Sequence, residues 1–355
     1  MMPFRVVARA PRWVEQWWTV APEIGVYIGA GCVSTAVIAA SAGRFRLEAS
    51  RVAALPDGAV LPSPLESNIR RPDLVVERLK AALPAVRRRE TAISLPDAAV
   101  RVAILELAHL PARRMEQEAL FRHHLEQLFL NPLGRCRFAC QRLPAGDAGS
   151  RERWLVAAIR EEILEEYESV ARAAGLQPSV VDLSAFHLFN LYEQRINAIR
   201  QSGGPGRRVL FMNLFDRNFT LIMADQSGPT LIRIKAFPGA DGDADLITRI
   251  LAEIDASLQL TDAAAAGEGP PIERFFVFTD RPLDELDGRM RDEYQVETTR
   301  LPSEDGAGVS VEGAGRDERQ GAPPGAAEGS STGTDRDDER RAVTMAVAAA
   351  VGCRG

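Results

Sequence analysis

The residues best placed to handle an anion sit in one short turn between two apolar runs. Residues 24–47 read IGVYIGAGCVSTAVIAASAGRFRL. Gly29, Ala30, Gly31, Cys32 and Ser34 occupy that turn. Side chains this small let backbone N–H groups approach a phosphate closely. Residues 209–232, VLFMNLFDRNFTLIMADQSGPTLI, repeat the order of strand, turn, strand, turn, strand. The second turn, Leu214 to Asn218, has no glycine, and the benzyl group of Phe215 would obstruct a phosphate. Tyr27 and Asn213 stand near the ends of the two first strands. A neutral phenol and an amide are poor partners for magnesium, which favours carboxylates. Asp216, three residues beyond Asn213, is the alternative acid of the second turn. Asp182 is a candidate N-cap for the helix that follows.

Other constellations carry less. Cys136 and Cys140 face the same way on an expected strand, but no third ligand lies near them, so no metal site is expected. His123 and His124 are about 100° apart on an expected helix and cannot chelate together, one being exposed and one partly buried. No P-loop, nucleophile elbow or carboxylate pair stands out, and no catalytic residue is expected.

The elements that must position these groups make two lobes. A chain of 355 residues with 46% hydrophobic and 26% charged residues can bury two cores. A net charge of −6 argues against non-specific nucleic-acid binding. Four cysteines without framework spacing argue against a disulfide-built secreted domain. The sequence has no apolar run of about 18 residues and no signal peptide, which makes the cytoplasm the expected address. Residues 1–22 form an amphipathic strap in which Trp13, Trp17 and Trp18 share a helix face behind three arginines. It either packs on the protein's own surface or contacts a membrane or partner. The first lobe spans 23–200, with an inserted subdomain at about 91–145. Periodicity predicts helices over 73–83, 113–129, 161–174 and 184–200. Residues 201–208 (QSGGPGRR) make a linker, and the second lobe spans 209–302. Residues 303–341, rich in glycine and charge and free of aromatics, are expected to be disordered. An Ala-rich closing helix over 342–355 is expected to dock on the second lobe.

Four segments resemble the type IV pilus assembly protein PilM family, within the actin-like ATPase superfamily that also holds FtsA. They are IGVYIGAGCVSTAVI, SLPDAAVRVAILELAHLP with the helix after it, WLVAAIREEILEEYESVARAAGLQPSVVDLSAFHLFNLYE and AVAAAVGCRG. AGLQPSVVD, Ala174 to Asp182, is the most specific piece. The resemblance implies an α/β fold, an actin-like two-lobed ribonuclease-H-like duplication with a small subdomain inserted in lobe 1. Lobe 2 is reduced, because only one helix separates the Gly239 turn from the Phe275 strand. It implies nucleotide in the cleft, with an Asp ending each first strand. Here Tyr27 and Asn213 replace those acids, and Thr279-Asp280 replaces a Gly-Gly of the family, while Asp182 matches the family's connecting-strand Asp, whose implied role is a contact to a metal-bound water as the alternative to the N-cap. The expectation is therefore a pseudo-ATPase in which Gly29, Ala30, Gly31, Cys32, Ser34 and Asp182 are a vestigial cofactor site and ATP with magnesium is disfavoured. The partner implied is the N-terminal tail of a PilN-like membrane protein, with relay to a pilus motor ATPase at the inner membrane. In the family that tail lies between the first lobe and the inserted subdomain. Val100, Val102, Ile104, Leu120, His124 and Leu128 are the candidate contacts; the alternative is that they form the subdomain's core. Competing functional readings are a working nucleotide-binding ATPase and a GspL-like cytoplasmic component of a type II secretion system. A filament-former like FtsA is disfavoured, because the sequence shows no C-terminal membrane helix.

Overall fold

A computed structural model describes residues 22–41, 44–85, 89–144, 151–202, 207–237, 242–264, 271–281, 283–302, 309–310 and 333–352. The expected strap over 1–22, with Trp13, Trp17 and Trp18, lies essentially outside them, as do residues 311–332 of the expected disordered segment.

Two sheets with the same strand order form the frame. The chain opens with β1 (Ile24–Ile28), β2 (Cys32–Ser41) and β3 (Arg44–Ala54), an antiparallel meander, followed by α1 (Pro72–Ala82) and β4 (Glu90–Leu95). A 3-10 turn, Asp97–Ala99, leads into an inserted unit of β5 (Arg101–Leu107), α2 (Arg114–Phe129), β6 (Cys136–Arg142) and β7 (Glu152–Arg160). The chain then returns to the main sheet through α3 (Glu161–Ala173) and β8 (Gln177–Leu183). Two helices, α4 (Ser184–Leu191) and α5 (Glu193–Ser202), carry it across to the second lobe. There β9 (Arg208–Phe215), β10 (Asn218–Asp225) and β11 (Gly228–Ala236) repeat the meander, followed by α6 (Asp243–Ala264), β12 (Ile272–Thr279), α7 (Asp284–Tyr294) and β13 (Thr298–Arg300). Finally β14 (Val309–Ser310) and α8 (Gly333–Gly352) return to the first lobe. The first sheet runs β14-β3-β2-β1-β4-β8 and the second β11-β10-β9-β12-β13, so β14 is an addition to an otherwise identical five-strand order.

Four sequence expectations change. The inserted subdomain runs from β5 to β7, residues 101–160, rather than about 91–145. Glu90–Leu95, buried from Thr91 onward, pairs in parallel with β1 and β8 inside the main sheet, as strands covered on both faces do. The segment 303–341 is partly structured, because β14 pairs with β3 and α8 begins at Gly333. The helix expected over 184–200 divides at Tyr192, and the second half reaches Ser202, shortening the linker. Finally, α8 docks on the first lobe rather than the second. Val343, Ala346, Val347 and Ala350 pack against Ala36, Ile38 and Leu47. Gly25 explains the closeness of that fit: a Cβ there would lie 1.8 Å from the Ala346 carbonyl oxygen.

Helix α3 behaves as its sequence dictates. Glu161 and Glu162 lie in the first turn and Arg172 in the last, complementing the helix dipole. Gly175, at φ +90°, ends it with bonds from the Gly175 N–H to Arg172 O and from the Leu176 N–H to Ala171 O.

One apolar core runs through both lobes. Val26, Ile93, Val181 and Phe186 of the first join Phe211, Ile222, Phe276 and Phe278 of the second. The inserted sheet, ordered β5-β7-β6, takes part through Val102, Leu155 and Ile159 on one face. Its other face carries Ala103, Leu105 and Val156, which pack under Phe121 and Leu125 of α2.

Candidate functional site

The two meanders meet turn against turn, and an acid of one lobe enters the turn of the other. In lobe 1, β1 and β2 are joined by Gly29, Ala30 and Gly31. In lobe 2, β9 and β10 are joined by Asp216 and Arg217 alone, at φ +52° and +59°. Left-handed backbone at both positions gives the mirror-image turn that two-residue hairpins favour. At Arg217 it costs about 1 kcal/mol, since only small or short polar residues adopt it readily.

The Asp216 side chain crosses the cleft. Its Oδ2 accepts hydrogen bonds from the Gly31 N–H at 3.2 Å and from the Tyr27 hydroxyl at 3.2 Å. The Ala30 amide also faces it. The small residues are needed here: a Cβ on Gly31 would lie 2.9 Å from Asp216 Oδ1, and one on Gly29 would lie 2.4 Å from Oδ2. Burial pushes the Asp216 carboxyl above its ordinary range, opposed by the Gly31 amide, the Tyr27 hydroxyl, the Ala30 amide and the charge of Arg281. Burial also drives the Tyr27 phenol well above its ordinary value, and the Asp216 charge adds to that, so Tyr27 stays protonated and donates. Behind the carboxylate, Asp280 Oδ2 accepts the Asp216 backbone N–H at 2.9 Å. Arg281 lies 3.8 Å from Asp280 and 3.6 Å from Asp243 at the cleft mouth. Phe215 is buried and meets the Tyr27 ring edge-on at 5.4 Å between centroids.

A second buried acid, missed in the sequence, ties the lobes deeper down. Asp97 is 1% exposed. Its Oδ1 accepts from the Ser184 hydroxyl at 3.0 Å and the Ala185 N–H at 2.9 Å, capping the first turn of α4. Its Oδ2 accepts from Thr220 Oγ1 at 2.7 Å and Asn213 Nδ2 at 3.1 Å, across the lobe boundary. Burial pushes this carboxyl up despite all four bonds. Asn213 is therefore a donor to Asp97. The one sequence signal for this role was an Asp directly after Pro96 at the end of an apolar strand.

The sequence-predicted residues divide. Ser34, Tyr27 and Asp182 stand in one row on β2, β1 and β8, with Ser94 of β4, not singled out in the sequence, between the last two. Ser34 is committed elsewhere, donating to the Ala342 carbonyl of α8 at 2.5 Å. Asp182 is buried, and its Oδ1 accepts the Leu183 N–H at 2.8 Å at the entry to α4, where Asp97 accepts the Ala185 N–H. Cys32 is half-buried at the start of β2. Of the candidate partner contacts, Val100 and Val102 belong to the shared core and Ile104 packs against it, so for these three the core reading holds. Leu120 is half-buried against the α2 core, His124 is half-buried, and Leu128 is 58% exposed. These three fall at i, i+4 spacing on one ridge of α2, beside the buried line of Phe121 and Leu125.

A magnesium–phosphate does not fit this donor set. The first-strand positions supply a buried phenol and an amide, and the amides of the first turn already face a carboxylate. No cluster of three His, Cys, Asp or Glu able to hold a metal occurs among the described residues. Cys136 is half-buried, its thiol pushed up to about 11 by burial, and it donates to Leu133 O.

Comparison with known proteins agrees with this architecture. The model of a family described as type IV pilus assembly protein PilM matches residues 25–256, more than half of the chain. Among solved structures, a chain of a "PilM-PilN type IV pilus biogenesis complex" is 18% identical. It aligns with a TM-score of 0.69 over 94% of this chain and 99% of its own. The cytoplasmic domain of EpsL, an inner-membrane component of the type II secretion system of Vibrio cholerae, is 13% identical, with a TM-score of 0.38 over 73% of this chain and 82% of its own. A protein of unknown function with an actin-like ATPase fold from Bacteroides thetaiotaomicron is 9% identical, with a TM-score of 0.45 over 78% and 90%. No curated protein matches the sequence. No helix among the described residues is long and apolar enough to cross a membrane. With its duplicated five-strand order, its three-stranded insertion and the family match over residues 25–256, this chain has the actin-like fold and belongs to the PilM family of type IV pilus assembly proteins.

Proposed function

We propose that this protein is a non-hydrolysing scaffold of the type IV pilus assembly platform, peripheral to the inner membrane, that grips the cytoplasmic tail of a PilN-like membrane protein. The observation that carries the non-hydrolysing half is the Asp216 carboxylate seated on the first turn, with Tyr27 and Asn213 where acids would hold metal. The partner half rests on family membership and on the full-length likeness to a chain solved in a PilM–PilN complex. Among the six candidate contacts, Leu120, His124 and Leu128 form one ridge of α2, on which Leu128 is exposed and the other two are half-buried. It flanks the inserted sheet, where a short amphipathic tail could lay apolar anchors along the helix. Transmission to a motor ATPase belongs to the same reading.

Two measurements test the proposal. In calorimetry, ATP with magnesium is expected to give no saturable heat, while a peptide copying the N-terminal tail of the membrane protein encoded beside this chain binds with micromolar affinity or better. Leu128→Asp is expected to weaken the peptide by about tenfold, as the loss of one apolar anchor does. Micromolar ATP binding would sink the non-hydrolysing half, and a tail peptide indifferent to Leu128→Asp would sink the α2 site. The GspL-like reading has only the distant EpsL likeness behind it and takes no separate support.

A further inference from the structure

The contact between the two turns has the form of a ligand in its site. The lobe 1 turn presents backbone N–H groups from Ala30 and Gly31 with no side chain in the way. The lobe 2 turn presents one anionic group, held out by two consecutive residues with left-handed backbone. Strain of this kind persists where the surrounding structure enforces it. Asp280 fixes the Asp216 backbone N–H, which aims the side chain, and Arg281 adds a positive charge nearby. Tyr27 contributes a third donor from the strand beneath. Every group around the carboxylate is thus a donor, a cation or a residue that orients it.

We propose that Asp216 is an internal anion that occupies the seat of the first turn and latches the mouth of the cleft. The mouth then has two states. With the carboxylate in, the amides of Ala30 and Gly31 are satisfied and the turns are joined. With the carboxylate out, the same amides accept a free anion of the phosphate class. Asp97 and the shared core lie deeper and keep the lobes together in both states, so the latch governs the two turns and not the whole interface. The inference shares the closed cleft with the functional reading but does not depend on the α2 ridge or on the identity of the partner. Failure of the tail-peptide experiment leaves it standing.

Amide hydrogen exchange on the full chain tests it, with inorganic phosphate as the added anion. In Asp216→Ala the Ala30 and Gly31 amides are expected to exchange about tenfold faster than in the parent protein, because a charge-assisted bond is lost. Added phosphate slows them again in the variant and leaves the parent protein unchanged. Asp216→Asn, which keeps one acceptor oxygen, stays within about threefold of the parent. Gly31→Ala approaches from the other side: its Cβ meets Oδ1 at 2.9 Å and displaces the carboxylate with both turns otherwise intact, so the Ala30 amide speeds up there too. It serves as the test should Asp216→Ala fail to fold. The latch is refuted if either variant exchanges these amides at the parental rate, if phosphate does not slow them in Asp216→Ala, or if phosphate slows them equally in the parent.

Discussion

The first and second meanders have one topology and opposite chemistry. The β1–β2 turn is a receptor: three small residues, amides turned to an incoming anion, a phenol beneath them. The β9–β10 turn is its complement: two residues, one of them the acid that fills the receptor. The contrast continues inside the strands. Two positions before Tyr27 stands Gly25, where α8 crosses almost in backbone contact. Two positions before Asn213 stands Phe211, whose ring packs edge-on against Phe189 of α4 at 5.4 Å. The halves of a duplicated fold have diverged until each completes the other. A cleft that separates two similar lobes in principle has here become a joint.

The joint can be broken at its deepest point first. Asp97→Ala removes the acceptor for four donors drawn from both lobes and leaves Asn213 and Thr220 facing a void. Loss of one partner in a buried polar set of this kind costs about 4 kcal/mol, which urea unfolding would read as a drop in midpoint at unchanged slope. A cost below about 1 kcal/mol would mean that the lobes are held by apolar packing alone. The contrast between Gly25 and Phe211 sharpens the comparison next. Phe211→Ala opens a cavity and is expected to cost about 3 kcal/mol, whereas Gly25→Ala must push the Ala346 carbonyl away and costs about 2 kcal/mol. The two substitutions change side-chain size in opposite directions and both destabilise. A stabilising Gly25→Ala, measured by thermal unfolding, would show that α8 sits further from β1 than described.

How far the sequence carries depends on whether a feature is local. The two meanders and the ends of α3 follow from apolar runs, a glycine at φ +90° and charges at the helix termini, all readable within a few residues. The destination of α8 was not readable: an Ala-rich face fits any flat sheet, and only Gly25, more than three hundred residues upstream, makes one sheet accept it at backbone distance. The site shows the same division. The small residues of the first turn, the missing acids at Tyr27 and Asn213 and the oddity of Phe215 are types in a pattern. That Asp216 reaches across to Gly31, or that Asp97 caps α4 while bonding β9 and β10, depends on pairs 88 to 185 residues apart. Val100, Val102 and Ile104 show the cost of guessing faces: alternation identified a strand, but which side met the core was set by β11 and the shared interior.

The smallest expected effect separates the two acids by pH. Burial holds both Asp97 and Asp216 above the ordinary carboxylate value of 3.8. Between that value and the raised one, the folded protein binds more protons than the unfolded chain, so stability falls as pH rises through the window. Their contribution is complete below the ordinary value and is lost once the raised value is passed. The signal is taken as a difference from a matched variant, which isolates the one acid. In urea unfolding between about pH 4 and about pH 7, the stability of the parent protein relative to Asp97→Asn is expected to decline with pH, and likewise for Asp216→Asn. A rising difference for either acid would mean that the donors around it outweigh its desolvation. At Asp216 that result would describe a carboxylate bound more tightly by the first turn than burial alone allows. At Asp97 it would mean that its four donors, two of them from the second lobe, hold the ionised carboxylate against the cost of burying it.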